Sequence, residues 1–239
     1  MKSAIPTPAT LPARIAVLAS GGGSNLQAIF AYLDERGDAR GAEIVLVASD
    51  RPDAGALERA RRRSIPAAAL RSTRAPDGDD LFDLLRDHRV DFIALAGYLR
   101  LLPKDILAEF PSRIVNVHPA LLPEFGGAGM FGERVHRAVL LSGAGVSGAT
   151  VHYVDEEYDH GAILAQWPVP VLADDTVQSL AARVLKVEHV LYPRVINAVA
   201  SGQWRFHSRP RAVPEAAALA LMHWDERRLI EEIENAFAL

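Results

Sequence analysis

Short apolar runs alternate with amphipathic stretches through the first half of the chain. The runs at 14–19, 44–48, 67–70, 92–96 and 114–117 have the length of buried strands, and their β-branched residues suit a sheet interior. Between them, apolar residues at helical spacing predict helices. Leu26, Ile29, Phe30 and Leu33 mark one that opens at Asn25 and ends near Gly37. Others run through Leu57 to Arg63, over 79–89 and over 104–109. Strands alternating with helices predict an α/β domain with a doubly wound, mostly parallel sheet.

The pattern changes after Pro123. A glycine-rich loop at 125–132 precedes a helix at 133–141. Two strands follow, 148–154 and 163–171, joined by an acidic segment at 155–161, and they predict a hairpin extending the sheet. A long helix is expected over 176–200, capped by Asp174 or Asp175. Residues 1–12 hold three prolines and read as a loose arm. The Ala- and Glu-rich stretch from Arg209 reads as helical. The expected organisation is an arm (1–12), one catalytic domain (13–206) and a tail (207–239).

In an open α/β sheet, ligands bind beyond the carboxyl ends of the strands. Polar loops fall at those ends after the first, fourth and fifth strands, and the acidic hairpin loop is expected to join them. The first, Ser20 to Asn25, contains Gly21, Gly22, Gly23 and Ser24 and opens a helix, which suits an anion. It lacks the lysine of a P-loop, and Leu26 stands where a dinucleotide fingerprint has its third glycine, so a single phosphate fits better. The alternative is a tight strand-to-helix turn. Arg100, beside Leu99, Leu101 and Leu102, reads as an apolar wall with one charged contact or as a surface arginine.

The fifth strand carries Asn116 and His118 on one face, because strand side chains alternate. They are either satisfied core groups or a site in which the amide donates to a developing oxyanion and the imidazole handles a proton. His88, His136, His152 and His189 read as structural. The acidic segment, with His160, reads as a solvated turn rather than a metal site.

Composition narrows the function classes. The chain has 239 residues, a formal net charge of −4 and only three lysines among 26 basic residues, which argues against a general nucleic-acid binder. It has no cysteine, so a disulfide framework, a thiolate zinc site and a Cys nucleophile are excluded. Apolar runs are too short for a signal peptide or a membrane span, and a cytoplasmic protein is expected.

Four segments carry a family resemblance: Ala19 to Ala28 around Ser20-Gly21-Gly22-Gly23-Ser24-Asn25; Leu95 to Arg100; Asn116-Val117-His118-Pro119 through Pro123; and Val151 to Gly161. Over roughly residues 13–206 the chain resembles the phosphoribosylglycinamide formyltransferases of the formyltransferase superfamily, folate-dependent enzymes of purine synthesis. The resemblance implies a Rossmann-like formyltransferase fold with 10-formyltetrahydrofolate and glycinamide ribonucleotide as small-molecule substrates, and no metal. It implies Asn116, His118 and Asp159 as the catalytic trio. Gly21, Gly22, Gly23, Ser24 and Asn25 match the loop for the ribonucleotide phosphate, and Glu188 matches a carboxylate near its ribose. Tyr98, Leu99, Arg100, Leu101 and Leu102, with Asn116, Val154, Asp155 and Glu156, match the folate pocket. A further family arginine corresponds to Arg71 or Arg74.

Three features depart from the commonest family pattern: the long glycine-rich loop, His160 after the catalytic Asp, and the tail. Formyl transfer needs an unprotonated amine, donors for an oxyanion and a proton for the departing folate nitrogen. Asp159 is suited to support an imidazolium at His118 and to accept the amine's proton directly or through water. Rival readings are formyl-methionyl-tRNA synthesis, formyl-folate hydrolysis and a catalytically silent phosphate-binding module. The first is expected to carry a basic RNA-binding domain and the second an N-terminal regulatory domain; the third leaves the trio without a role. A homodimer stays open.

Overall fold

The computed structural model describes residues 11–70, 79–202 and 226–237. Seven strands form one sheet: β1 (Ala13–Leu18), β2 (Ala42–Ser49), β3 (Ala67–Ala69), β4 (Phe92–Leu95), β5 (Ile114–His118), β6 (Val146–Tyr153) and β7 (Ile163–Pro170). Their order is β3-β2-β1-β4-β5-β6-β7. Pairings are parallel from β3 to β5, whereas β6 and β7 add on antiparallel. The predicted hairpin is therefore present.

The helices are α1 (Ser24–Arg36), α2 (Gly55–Arg62), α3 (Asp79–Asp87), α4 (Lys104–Glu109), α5 (Glu133–Ser142), α6 (Val177–Ala200) and α7 (Glu226–Phe237). They cover both faces of the sheet, which explains why the strands read as continuous apolar runs. Ile15 and Val17 face the core shared with α1, α2 and α6, while Ala16 and Leu18 face the core built with α3 and α4. The strand order reverses between β1 and β4. The loops after these two strands diverge from that point, which is where an open sheet makes a ligand crevice.

The structure corrects the expected cap of α6 and shows where part of the tail, helical as expected, packs. Thr176, not Asp174 or Asp175, caps α6: its hydroxyl accepts the Ser179 N–H at 3.1 Å, and the Ser179 hydroxyl accepts the Thr176 N–H at 2.9 Å. Asp175 is drawn instead to Arg183, whose guanidinium grips both carboxylate oxygens at 2.6 and 2.7 Å. The described part of the tail, α7, is docked on the domain. Leu229 and Ile233 are buried in the main core, Arg194 pairs with Glu234 at 3.0 Å, and the rings of Trp167 and Phe237 lie 6.4 Å apart.

Candidate active site

Asn116 and His118 stand at the carboxyl end of β5, the last parallel strand and the first to pair antiparallel. That pairing sets His152 of β6 opposite Asn116 and Thr150 opposite His118. Asp159 comes from the loop between β6 and β7 and adopts φ 55°, a left-handed conformation that Asp tolerates better than most residues. The three groups converge. Asp159 Oδ2 lies 3.4 Å from His118 Nδ1, and Asp159 Oδ1 lies 3.5 Å from Asn116 Nδ2.

Backbone from the glycine-rich loop completes the arrangement. The carbonyl of Phe125 lies 2.9 Å from His118 Nε2; a carbonyl only accepts, so Nε2 carries a hydrogen and Nδ1 is left to face Asp159. The Gly127 N–H donates to Asp159 Oδ2 at 3.0 Å. The loop can come this close because residue 126 is glycine: a Cβ there would meet Leu122 Cδ2 at 2.6 Å and Asp159 Cβ at 3.2 Å. Burial alone would push the Asp159 carboxyl up. The imidazole of His118, foremost, with the Gly127 N–H, outweighs it and holds the carboxyl well below the usual carboxylate range.

His152, read from sequence as structural, belongs to this cluster. Its Nδ1 lies 2.7 Å from its neighbour's carbonyl at Tyr153 and so carries a hydrogen. Its Nε2 is then the acceptor for Asn116 Nδ2 at 3.1 Å, and it lies 3.6 Å from Asp159 Oδ1. This contact fixes which way the Asn116 amide points. His136, on α5, also lines the site. It is buried, its Nδ1 has no hydrogen-bond partner, and burial, then the charge of His118, lowers its pKa. Alternation along β6 leaves the face of His152 open until its partner strand is known, and helical spacing placed His136 only as core.

The cluster opens into a cavity of about 480 Å³. Tyr98, Leu99, Arg100, Leu101, Leu102 and Val154 line it. Asp155 and Glu156 do not. Asp155 binds the Glu157 N–H and His160 at 3.0 and 2.9 Å, and Glu156 pairs with Lys104 at 2.6 Å, so these two charges stay at the surface. Their neighbours Glu157 and Tyr158 reach the cavity instead. His160 pairs with Asp155 and leaves the cavity to its neighbours.

At another part of the lining, Asn25 donates to Glu188 Oε2 at 2.7 Å, a buried contact between the starts of α1 and the middle of α6. Burial pushes the Glu188 carboxyl up, against the Asn25 hydrogen bond, while Asn25 Oδ1 has no partner. Gly21, Gly22 and Ser24 are exposed and Gly23 is buried; these four do not line the cavity itself. Arg71 and Arg74 lie outside the described residues. Among the described residues, no group of three or more His, Asp or Glu side chains is placed to hold a metal ion.

A mostly parallel sheet with an antiparallel hairpin thus carries this trio at the edge of a largely apolar cavity. The chain belongs to the formyl transferase family, whose model matches residues 13–196. The proteins it is similar to include phosphoribosylglycinamide formyltransferases. The chloroplastic enzyme of Arabidopsis thaliana is 46% identical over 199 residues, which span 80% of this chain and 68% of that protein. The Bacillus subtilis (strain 168) enzyme is 39% identical over 189 residues, 77% of this chain and 93% of that one. The crystal structure of glycinamide ribonucleotide transformylase 1 from Symbiobacterium toebii matches with a TM-score of 0.75 and 40% identity, covering 83% of this chain and 92% of that one.

Proposed function

We infer that this chain transfers the formyl group of 10-formyltetrahydrofolate to the amino group of glycinamide ribonucleotide, giving formylglycinamide ribonucleotide in de novo purine biosynthesis. The observation that carries the residue assignment is the meeting of Asn116, His118 and Asp159 at the edge of one cavity. The cavity's volume is that of a small-molecule site, and its apolar wall at 98–102 with Val154 suits a flat heteroaromatic ring. Asn25 and Glu188, polar and buried on the same cavity, suit a ribose, with the Gly21–Ser24 loop, exposed at all but Gly23, beyond them for the phosphate. This reading places the reaction in the cytoplasm with small molecules as its partners.

When bound, formyl-folate supplies an activated formyl group. The residues then divide the remaining work. Asn116 has two amide hydrogens: His152 holds one at 3.1 Å, and that bond aims the other, whose nitrogen is a long 3.5 Å from Asp159 Oδ1, towards an oxygen that gains negative charge. His118, with Nε2–H on the Phe125 carbonyl and Nδ1 beside an ionised carboxylate, is arranged to carry positive charge at the same place. Asp159, kept ionised, is the acceptor for the amine's proton, directly or through water.

The test follows formyl-folate consumption by the purified chain with and without glycinamide ribonucleotide. Consumption should require the ribonucleotide and match formylglycinamide ribonucleotide formed. Consumption without it would mark a hydrolase and overturn the assignment.

A further inference from the structure

A carboxylate outside the cavity ties the 97–102 wall to the glycine loop beyond it. Asp50 follows β2 at the carboxyl edge of the sheet, its side chain 5% exposed. Oδ1 accepts from the Ser20 hydroxyl at 2.5 Å, and that hydroxyl accepts the Leu99 N–H at 3.0 Å. The Ser20 N–H donates to the Gly97 carbonyl at 3.1 Å. Oδ2 takes Arg100 Nε at 2.9 Å. Ser20 leads into the glycine loop, and Gly97 to Leu102 form the apolar wall. One buried carboxylate is thus the shared partner of both, through charge-assisted bonds that neither can leave cheaply. The charge is felt along the wall: burial, then Asp50, against Arg100, push the Tyr98 hydroxyl up to about 12. Asp50 itself does not line the cavity.

We propose that Asp50 is a positioning residue that couples the two substrate sites, so that ordering the glycine loop on the ribonucleotide also sets the 97–102 wall for the folate. A ligand that orders one side of a shared node lowers the ordering cost left for the other. The effect is reciprocal, each substrate tightening the other by the same factor. This inference rests on the substrate assignment above.

The experiment is calorimetric titration of the full chain with glycinamide ribonucleotide, alone and with saturating tetrahydrofolate, which carries no formyl group to transfer. The wild-type Kd should tighten at least about 5-fold in the ternary complex, the lower end of ordinary coupling. In Asp50→Asn, which keeps the shape and loses the charge, and in Ser20→Ala, which removes the bridging hydroxyl, the ratio should fall below about 2-fold. Melting curves establish that each variant is folded, and Ser20→Ala decides the matter if Asp50→Asn does not fold. A merely structural role would weaken both binary affinities and leave the ratio intact. A ratio retained in the folded variants, or absent in the wild type, overturns the inference. A wild type that transfers no formyl overturns the substrate assignment as well, whereas formyl transfer with an unchanged ratio overturns the coupling alone.

Discussion

Nδ1 of His118 stands 3.4 Å from Oδ2 of Asp159, although one residue ends a strand and the other lies in the loop of the following hairpin. The Asp159 carboxyl is held below its usual range, so its ionised form stabilises the fold. That contribution is complete above the unfolded value of about 3.9 and is lost as pH falls through the lower folded value. Asp159→Asn should therefore differ most from wild type in melting temperature near neutrality, with the gap closing in acid below about pH 4. Turnover should fall too. Combined with His118→Ala, it should cost much less than the product of the single effects, because groups acting as a unit are not additive. Clean multiplication in single-turnover formyl transfer would separate the two residues.

Asn116→Ala removes the amide that faces both His152 and Asp159. Turnover should drop about 10²–10³-fold, as for other oxyanion donors. Binding of either substrate should change far less, since the charge appears mainly in the transition state. Near-normal turnover in this variant would return Asn116 to the role of a core polar group.

Glu188 is a buried acid whose pKa burial raises, so the sign is opposite to that of Asp159. Its neutral form favours folding; that benefit is present below the unfolded value of about 4.3 and is lost as pH rises through the folded one. Glu188→Gln, neutral throughout, should melt above wild type near pH 8, with the difference shrinking towards about pH 4. Ribonucleotide affinity should weaken by about 0.5–1.5 kcal/mol, the worth of an ordinary hydrogen bond. Calorimetry and melting curves at the two pH values test both halves.

The glycine loop offers a clean and an unclean variant. Gly23 has φ 76°, and a Cβ there would sit 2.9 Å from the Ala56 Cα of α2. Gly23→Val should therefore lower stability, with strain of about 1–3 kcal/mol from the backbone conformation alone. Ser24→Ala, at an exposed position, should spare the fold and the folate site while weakening ribonucleotide binding by about 1–3 kcal/mol. Equal weakening of both ligands by Ser24→Ala would count against a phosphate role.

Truncation after His207 removes α7 and with it the buried Leu229 and Ile233. Each is worth about 1.5–3 kcal/mol of burial, so denaturant midpoints should fall sharply. No residue of α7 lines the cavity, and turnover per folded molecule should be kept. Lost turnover in a truncated chain that is still folded would mean that the tail reaches the site.

The sequence by itself determined the succession of strands and helices, because period two and period 3.6 are local properties of the chain. It also placed Asn116 and His118 together at a strand end, since alternation puts residues two apart on one face, and the family motif brought Asp159 to them. Tertiary structure alone decided the rest. His152 faces Asn116 because β5 and β6 pair antiparallel in one register, which no single strand encodes. The Phe125 carbonyl and Gly127 N–H carry no side-chain signal, yet they set the hydrogen on His118 and hold Asp159. Asp155 and Glu156 share the hairpin loop with Asp159, but surface partners keep them out of the cavity. Asp50, Ser20 and Arg100 come from the ends of three strands that are neighbours only in the sheet, so their meeting depends on strand order. Local patterns fix which elements form; contacts between distant elements depend on how those elements pack.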